Sequence, residues 1–213
     1  MLIREERLQM PEPHETVAIN LDGKALSARK GLTILQVAQQ NDIYIPTLCA
    51  HKDLSPFGGC RLCTVEIEGK RGFSTACTTP VEKGMVIRTN TVAIKSHRIE
   101  VLQLLLSEHP SSCLICDENA ECKDFSSTIR KAGVTTGCRY CPNDGQCELQ
   151  QIVEKLGLTE INFPIHYRNL RVEKEDPFYD RDYNLCVLCG RCVRACPAKI
   201  DIRRVLRRLV QSA

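Results

Sequence analysis

Residues 59–69 read GCRLCTVEIEG, two cysteines three positions apart on a glycine-led loop that runs straight into alternating strand residues. Cys49 lies upstream and Cys77 downstream, leaving 10, 2 and 13 residues between successive thiols. Two thiols spaced like Cys60 and Cys63 suit a disulfide, a zinc knuckle, a redox dithiol or half of an iron–sulfur site. The chain around them has to choose.

Its 213 residues include 14 cysteines, no Trp and only 5% aromatics. Such a chain is short of large core residues, so something besides packing is expected to hold it together. Fourteen thiols could pair as disulfides in a secreted protein. The N-terminal MLIREERLQMPEPHE, however, has no apolar core and no signal-peptide cleavage pattern. The longest apolar run, VLQLLL at 101–106, is far too short to cross a bilayer. A cytoplasmic, reducing location is expected, where clustered cysteines usually bind metal. A formal charge of +3 describes an ordinary mixed-charge surface and gives no reason to expect nucleic acid.

Outward from the opening stretch the pattern is regular. TVAINLDGKALSA (16–28) reads as strand, Asp-Gly turn and strand. GLTILQVAQQND (31–42) reads as a short helix with Thr33 as N-cap and Ile34, Val37 and Ala38 inward. TVEIEG (64–69) and MVIRTN (85–90) supply later strands. Gly58 and Gly59 would let backbone N–H groups approach sulfur with no Cβ in the way.

This order resembles the β-grasp, plant-type 2Fe-2S domain that opens the large iron–sulfur subunit of respiratory NADH dehydrogenase (complex I). Related domains open NAD-linked formate dehydrogenases, iron-only hydrogenases and diaphorase subunits. The first spacing is longer than that of photosynthetic ferredoxins. The resemblance implies an α+β chain in which Cys49, Cys60, Cys63 and Cys77 hold a 2Fe-2S cluster, a zinc ribbon being the alternative.

Residues 91–108 read as a helix with Leu102, Leu105 and Leu106 on one face, stopped by Pro110. His109 extends that face, and as a lone histidine it reads as buried core. The series His109, Cys113, Cys116, Cys122 nonetheless resembles the family's second motif, which implies a 4Fe-4S cluster with one imidazole ligand. Cys138, Cys141 and Cys147 repeat the cysteine spacing 25 residues later, but Val134 stands where His109 would. This third group suits a 4Fe-4S cluster or zinc completed from elsewhere. A helix with Leu149, Ile152, Val153 and Leu156 inward follows, ended by Gly157.

Cys186, Cys189, Cys192 and Cys196, with Pro197 next, form the bacterial ferredoxin run and imply a further 4Fe-4S cluster. In two-cluster ferredoxins the last cysteine of such a run serves the other cluster. Either the fourth site is incomplete in a short chain, or Cys196 joins Cys138, Cys141 and Cys147 while His166 or a partner chain completes the remaining three. Fourteen cysteines and His109 make fifteen ligands. The first group takes four, and the eleven left fall one short of three complete 4Fe-4S sites. Residues 158–185 read as a Pro-interrupted connector packed down by its aromatics. KIDIRRVLRRLVQSA (199–213) reads as a basic amphipathic helix with a solvated face.

The expected organisation is an extension over 1–15, a 2Fe-2S domain over 16–95, a His-Cys cluster domain over 96–157, and a connector with a 4Fe-4S segment over 158–213. There is no Gly-x-Gly-x-x-Gly after a strand and no Walker sequence. One-electron transfer is the chemistry left. The resemblance implies a hetero-oligomer in which this chain links a flavin-containing NAD(P)H dehydrogenase subunit to a catalytic oxidoreductase subunit, with no substrate site of its own. A free-standing polyferredoxin and a metal-stapled scaffold are the alternatives.

Overall fold

The computed structural model describes residues 15–109, 147–164, 166, 177, 183–198 and 200. Strands β1 (Thr16–Leu21) and β2 (Lys24–Arg29) pair antiparallel, from Thr16 opposite Arg29 to Leu21 opposite Lys24. Asp22 and Gly23 turn the chain at φ of 51° and 84°, both left-handed, as a two-residue hairpin of this kind requires. Alternation along β1 buries Val17, Ile19 and Leu21.

Helix α1 (Ile34–Gln40) starts at Thr33 as expected. The Gln36 N–H donates to the Thr33 hydroxyl, and the Thr33 N–H donates to the Gln36 side chain at 2.9 Å, a reciprocal cap. After the cysteine loop come β3 (Thr64–Ile67), β4 (Ser74–Thr75) and β5 (Val86–Arg88). The two-residue β4 was not expected from the sequence. The sheet order is β2-β1-β5-β3-β4, with β5 parallel to β1 and antiparallel to β3. A parallel neighbour needs a long crossover, and α1 with the cysteine loop lies within it. Val17, Leu21, Ile34, Val37, Val65 and Ile87 fill a core between this mixed sheet and α1.

A second core is helical. Helix α2 (Val92–Ser107) is capped by the Thr91 hydroxyl, which accepts from the Ile94 N–H, and it ends at Glu108. Helix α3 (Glu148–Leu156) stops at Gly157, whose φ of 66° is the left-handed conformation that suits glycine at a helix end. Leu102 and Leu106 meet Leu149, Ile152 and Val153, while Leu105 and Leu156 are only partly buried at its edge. A turn of 3-10 helix (Tyr183–Leu185) leads to the short helix α4 (Arg191–Ala195).

The expected N-terminal extension up to residue 14, Cys113, Cys116, Cys122, Cys138, Cys141, most of the connector and the basic tail lie outside the described residues. Among those described, no helix is long and apolar enough to cross a membrane.

Candidate metal centre

The four thiols of the first group converge from two different cores. Cys49 and Cys60 belong to the helical core with Leu48, Leu62, Leu102 and Leu106, whereas Cys63 and Cys77 belong to the sheet core with Val65 and Ile87. All four are buried, between 0% and 7% exposed, and none forms a disulfide. The site therefore lies on the seam where the two cores meet.

Local structure aims each sulfur. Cys60 N–H donates to Cys49 Sγ at 3.4 Å, and Leu48 N–H donates to Cys60 Sγ at 3.5 Å. Ala76 N–H donates to the Cys63 carbonyl at 2.9 Å, which fixes the segment after β4, with Cys77, against the segment before β3, with Cys63. Thr78 and Thr79 N–H both donate to the Thr75 carbonyl, closing the turn that presents Cys77. Gly58, at φ 66°, points its N–H at the Cys77 sulfur, the role expected of it. At Gly59 a Cβ would come within 2.3 Å of the Phe57 ring. Arg61 takes a left-handed φ of 58° between the two middle cysteines, a cost accepted in a non-glycine residue to keep both sulfurs inward.

The electrostatics show how close the sulfurs are. A hydrogen bond with Cys49, and then burial, push the Cys60 thiol up. The hydrogen bond from Cys77 holds Cys63 below the ordinary thiol value. Cys77 is lowered by its contact with Cys49, but its bond to Cys63 and burial outweigh this and leave it pushed up to about 11. Four thiols cannot share a dry seam as four isolated anions, since burial and mutual repulsion disfavour the charged form. A cationic group between them removes that conflict. Among the described residues no three His, Cys, Asp or Glu side chains group around a single ion. The division between the two cores instead pairs Cys49 with Cys60 and Cys63 with Cys77, and the contact between Cys49 and Cys77 joins the two pairs. Two pairs could hold a two-iron centre with two thiolates on each iron, and backbone N–H groups directed at sulfur fit that donor set.

The fourth cysteine group lies against the first. Arg191 Nη2 donates to the Ala50 carbonyl at 2.8 Å, and Arg191 also pairs with Glu148 of α3 at 2.8 Å. Arg194 Nη1 donates to the Ser55 carbonyl at 2.5 Å, its Nη2 donates to the Cys49 carbonyl, and its guanidinium lies 5.4 Å from the Phe57 ring centre. Both arginines thus fasten α4 to the loop between the first two cysteines. Neither was expected from the sequence, because no local pattern marks a residue whose partners lie so far up the chain. Val187 and Cys189 pack against the core that holds Cys49 and Cys60, as does Cys147 at the start of α3. A cleft of about 370 Å³, lined in part by Leu48, Cys60, Leu105 and Cys189, remains between them. Cys186 and Cys196 are partly exposed and Cys192 is exposed.

His109 is 8% exposed at the C-terminal end of α2, where its N–H donates to the Leu106 carbonyl at 3.1 Å. The backbone of His166 reaches the same helix end, donating to the Ser107 carbonyl at 2.8 Å.

Three family models match the chain in succession. They are a 2Fe-2S iron–sulfur cluster binding domain over residues 14–92, an NADH-ubiquinone oxidoreductase-G iron–sulfur binding region over 98–123, and a 4Fe-4S binding domain over 179–200. The chain is 35% identical to an NADH-quinone oxidoreductase subunit of Rhizobium meliloti, an alignment covering 84% of this chain and 18% of that protein. It is 34% identical to an NADP-reducing hydrogenase subunit of Solidesulfovibrio fructosivorans, covering 84% of this chain and 27% of that one. The chain thus spans a small part of the curated relatives it matches. A crystal structure of an NAD+-reducing NiFe-hydrogenase in the H2-reduced state aligns with a TM-score of 0.68 at 27% identity, covering 86% of this chain and 67% of that one. One of those matches spans the seam where the four thiols meet, so this chain carries iron–sulfur cluster binding domains and resembles subunits of NADH-quinone oxidoreductases and NADP-reducing hydrogenases.

Proposed function

We propose that this chain is an electron-transfer subunit, carrying single electrons between a flavin-containing NAD(P)H dehydrogenase subunit and a separate catalytic subunit of a cytoplasmic hetero-oligomer. In this reading the sheet and α1 form a β-grasp ferredoxin unit over 16–95, in which Cys49, Cys60, Cys63 and Cys77 hold a 2Fe-2S cluster. His109, Cys113, Cys116 and Cys122 hold a 4Fe-4S cluster within 96–157. Cys186, Cys189, Cys192 and Cys196 hold another within 158–213, and Cys138, Cys141 and Cys147 take 4Fe-4S or zinc. The observation that carries the reading is the meeting of four buried, unbridged thiols as two pairs on one seam.

Bound there, a 2Fe-2S cluster supplies reversible one-electron chemistry. The chain's own residues do the rest. Buried Leu48, Leu62 and Val65 keep water from the sulfurs, which limits solvent reorganisation and guards against oxidation. N–H groups of Leu48, Gly58 and Cys60 stabilise negative charge on sulfur and so set the potential. Arg191 and Arg194 hold the ferredoxin-like segment against the same loop, which keeps Cys189 and Cys60 on one cleft. Relatives named as subunits of NADH-quinone oxidoreductase and NADP-reducing hydrogenase support a place in such a complex.

The test is anaerobic purification of the full chain and its Cys60→Ala variant, with iron and sulfide counts and low-temperature paramagnetic resonance. The parent should be brown with a 2Fe-2S signal that the variant lacks. Equal iron content and spectra in both would refute the assignment.

A further inference from the structure

Helix α2 carries a charge where its buried stripe calls for an aliphatic side chain. The stripe runs Ile94, Arg98, Leu102 and Leu106, four residues apart each time, so all four face one way. The three aliphatic members are 0% exposed and Arg98 is only 4% exposed. Its Nη2 donates to the Thr64 carbonyl at 2.7 Å, on the residue that follows Cys63. Its Nε has no hydrogen-bond partner, and among the described residues no carboxylate forms an ion pair with it. Both carboxylate oxygens of Asp22 are engaged by Thr89.

A guanidinium does not give up its proton at any ordinary pH, so this is a permanent cation taken out of water. Burying one without an anion is strongly unfavourable, and an aliphatic residue of similar length would fill the same space without that cost. One carbonyl bond does not explain why the position is charged. An anion within reach would. Burial disfavours the Arg98 charge, and foremost among the groups that favour it is Cys63, ahead of Tyr44 and Asp22.

We propose that Arg98 is the fixed counter-charge of the group held by Cys49, Cys60, Cys63 and Cys77. The proposal rests on the reading of those thiols as 2Fe-2S ligands. Four thiolates around two ferric ions and two sulfides leave a net negative charge, which grows by one when an electron arrives. A buried cation beside Cys63 favours the more negative level, so Arg98 raises the reduction potential of the site. In the metal-free chain, where the thiols can stay protonated, the same cation lacks its compensation and destabilises the fold. Arg98 thereby links metal binding to folding as well as to potential.

The experiment uses the full chain with Arg98→Met (similar length, no charge), Arg98→Gln (a donor kept, charge lost) and Arg98→Lys (charge kept). The 2Fe-2S signal is followed through a redox titration, and melting is measured for the loaded and chelator-stripped forms. Met and Gln should both shift the midpoint to more negative potential, while Lys stays close to the parent. The gap in melting temperature between loaded and stripped chain should shrink in Met, because stripping no longer exposes a lone buried cation. A residue that only anchors the Thr64 carbonyl would lower both melting temperatures alike and leave the midpoint unmoved; that result overturns the proposal. Should Met fail to take up the cluster, a stripped Met chain no more stable than the stripped parent overturns it too. A parent with no 2Fe-2S signal would refute the ligand assignment itself, whereas a parent signal whose midpoint ignores Met and Gln refutes Arg98 alone.

Discussion

Replacing Arg194 with alanine should unfasten the loop between Cys49 and Cys60 while leaving the sheet intact. The side chain reaches the loop at its start and its middle, through the Cys49 and Ser55 carbonyls, and lies over Phe57. A charged donor on the part-buried Cys49 carbonyl contributes about 1.5–2 kcal/mol. The exposed bond to Ser55 and the cation–ring contact contribute about 0.5 kcal/mol each. The loss is about 2.5–3 kcal/mol, which raises the population of the undocked loop on the order of a hundredfold at about 1.4 kcal/mol per decade. Amide hydrogen exchange reads that population directly where opening is fast compared with exchange. Leu48 and Cys60 are the amides to follow, because each donates to a sulfur of the first cysteine group. Their protection should fall by roughly that factor in Arg194→Ala, by less in Arg194→Lys, and not at all in the β1–β2 hairpin. Unchanged exchange across residues 48–60 would show that α4 merely rests on the loop and restrains nothing.

His109→Ala should lose one cluster, and His109→Cys should retain it at a lowered potential because a thiolate adds negative charge; identical redox titrations in parent and both variants would make His109 a core residue. Cys141→Ser decides the metal of the third group: iron lost from the variant supports a cluster, whereas about one zinc per chain that survives air and vanishes in the variant supports zinc. Leu102→Ala, at a fully buried site shared by α2 and α3, should cost about 2–5 kcal/mol and lower the melting temperature of the loaded chain. No measurable loss there would mean that the helical core collapses around the gap.

The elements legible in the sequence were those with local signals. The Asp22-Gly23 turn, the Thr33 cap, the α2 helix with Leu102 and Leu106 inward, and Gly157 after α3 each depend on a few neighbouring residues, and each stands where the pattern put it. β4 escaped because a strand of two residues, Ser74 and Thr75, has no period to detect. The cysteine spacing named four thiols but said nothing of their division between two cores, which only the folded chain reveals. Arg191 and Arg194 were invisible as loop anchors, since their partners lie 141 and 145 residues away. Arg98 was different. A basic residue in phase with Ile94 and Leu102 is a signal that helical periodicity could have flagged, had the stripe been read for what breaks it as well as for what makes it.

The 145-residue reach from Arg194 back to Cys49 also sets a timetable for maturation. At about 5–20 residues per second, a ribosome takes roughly 7–30 s to add the residues between them. For that interval the sheet, complete once Arg88 is made, can form while the loop bearing Cys49 and Cys60 waits without its clasp. A metal donor meeting the nascent chain would find an open, reactive mouth. After Arg194 arrives, the same mouth is latched, so the favoured moment for delivery falls before the latch and the favoured moment for retention after it.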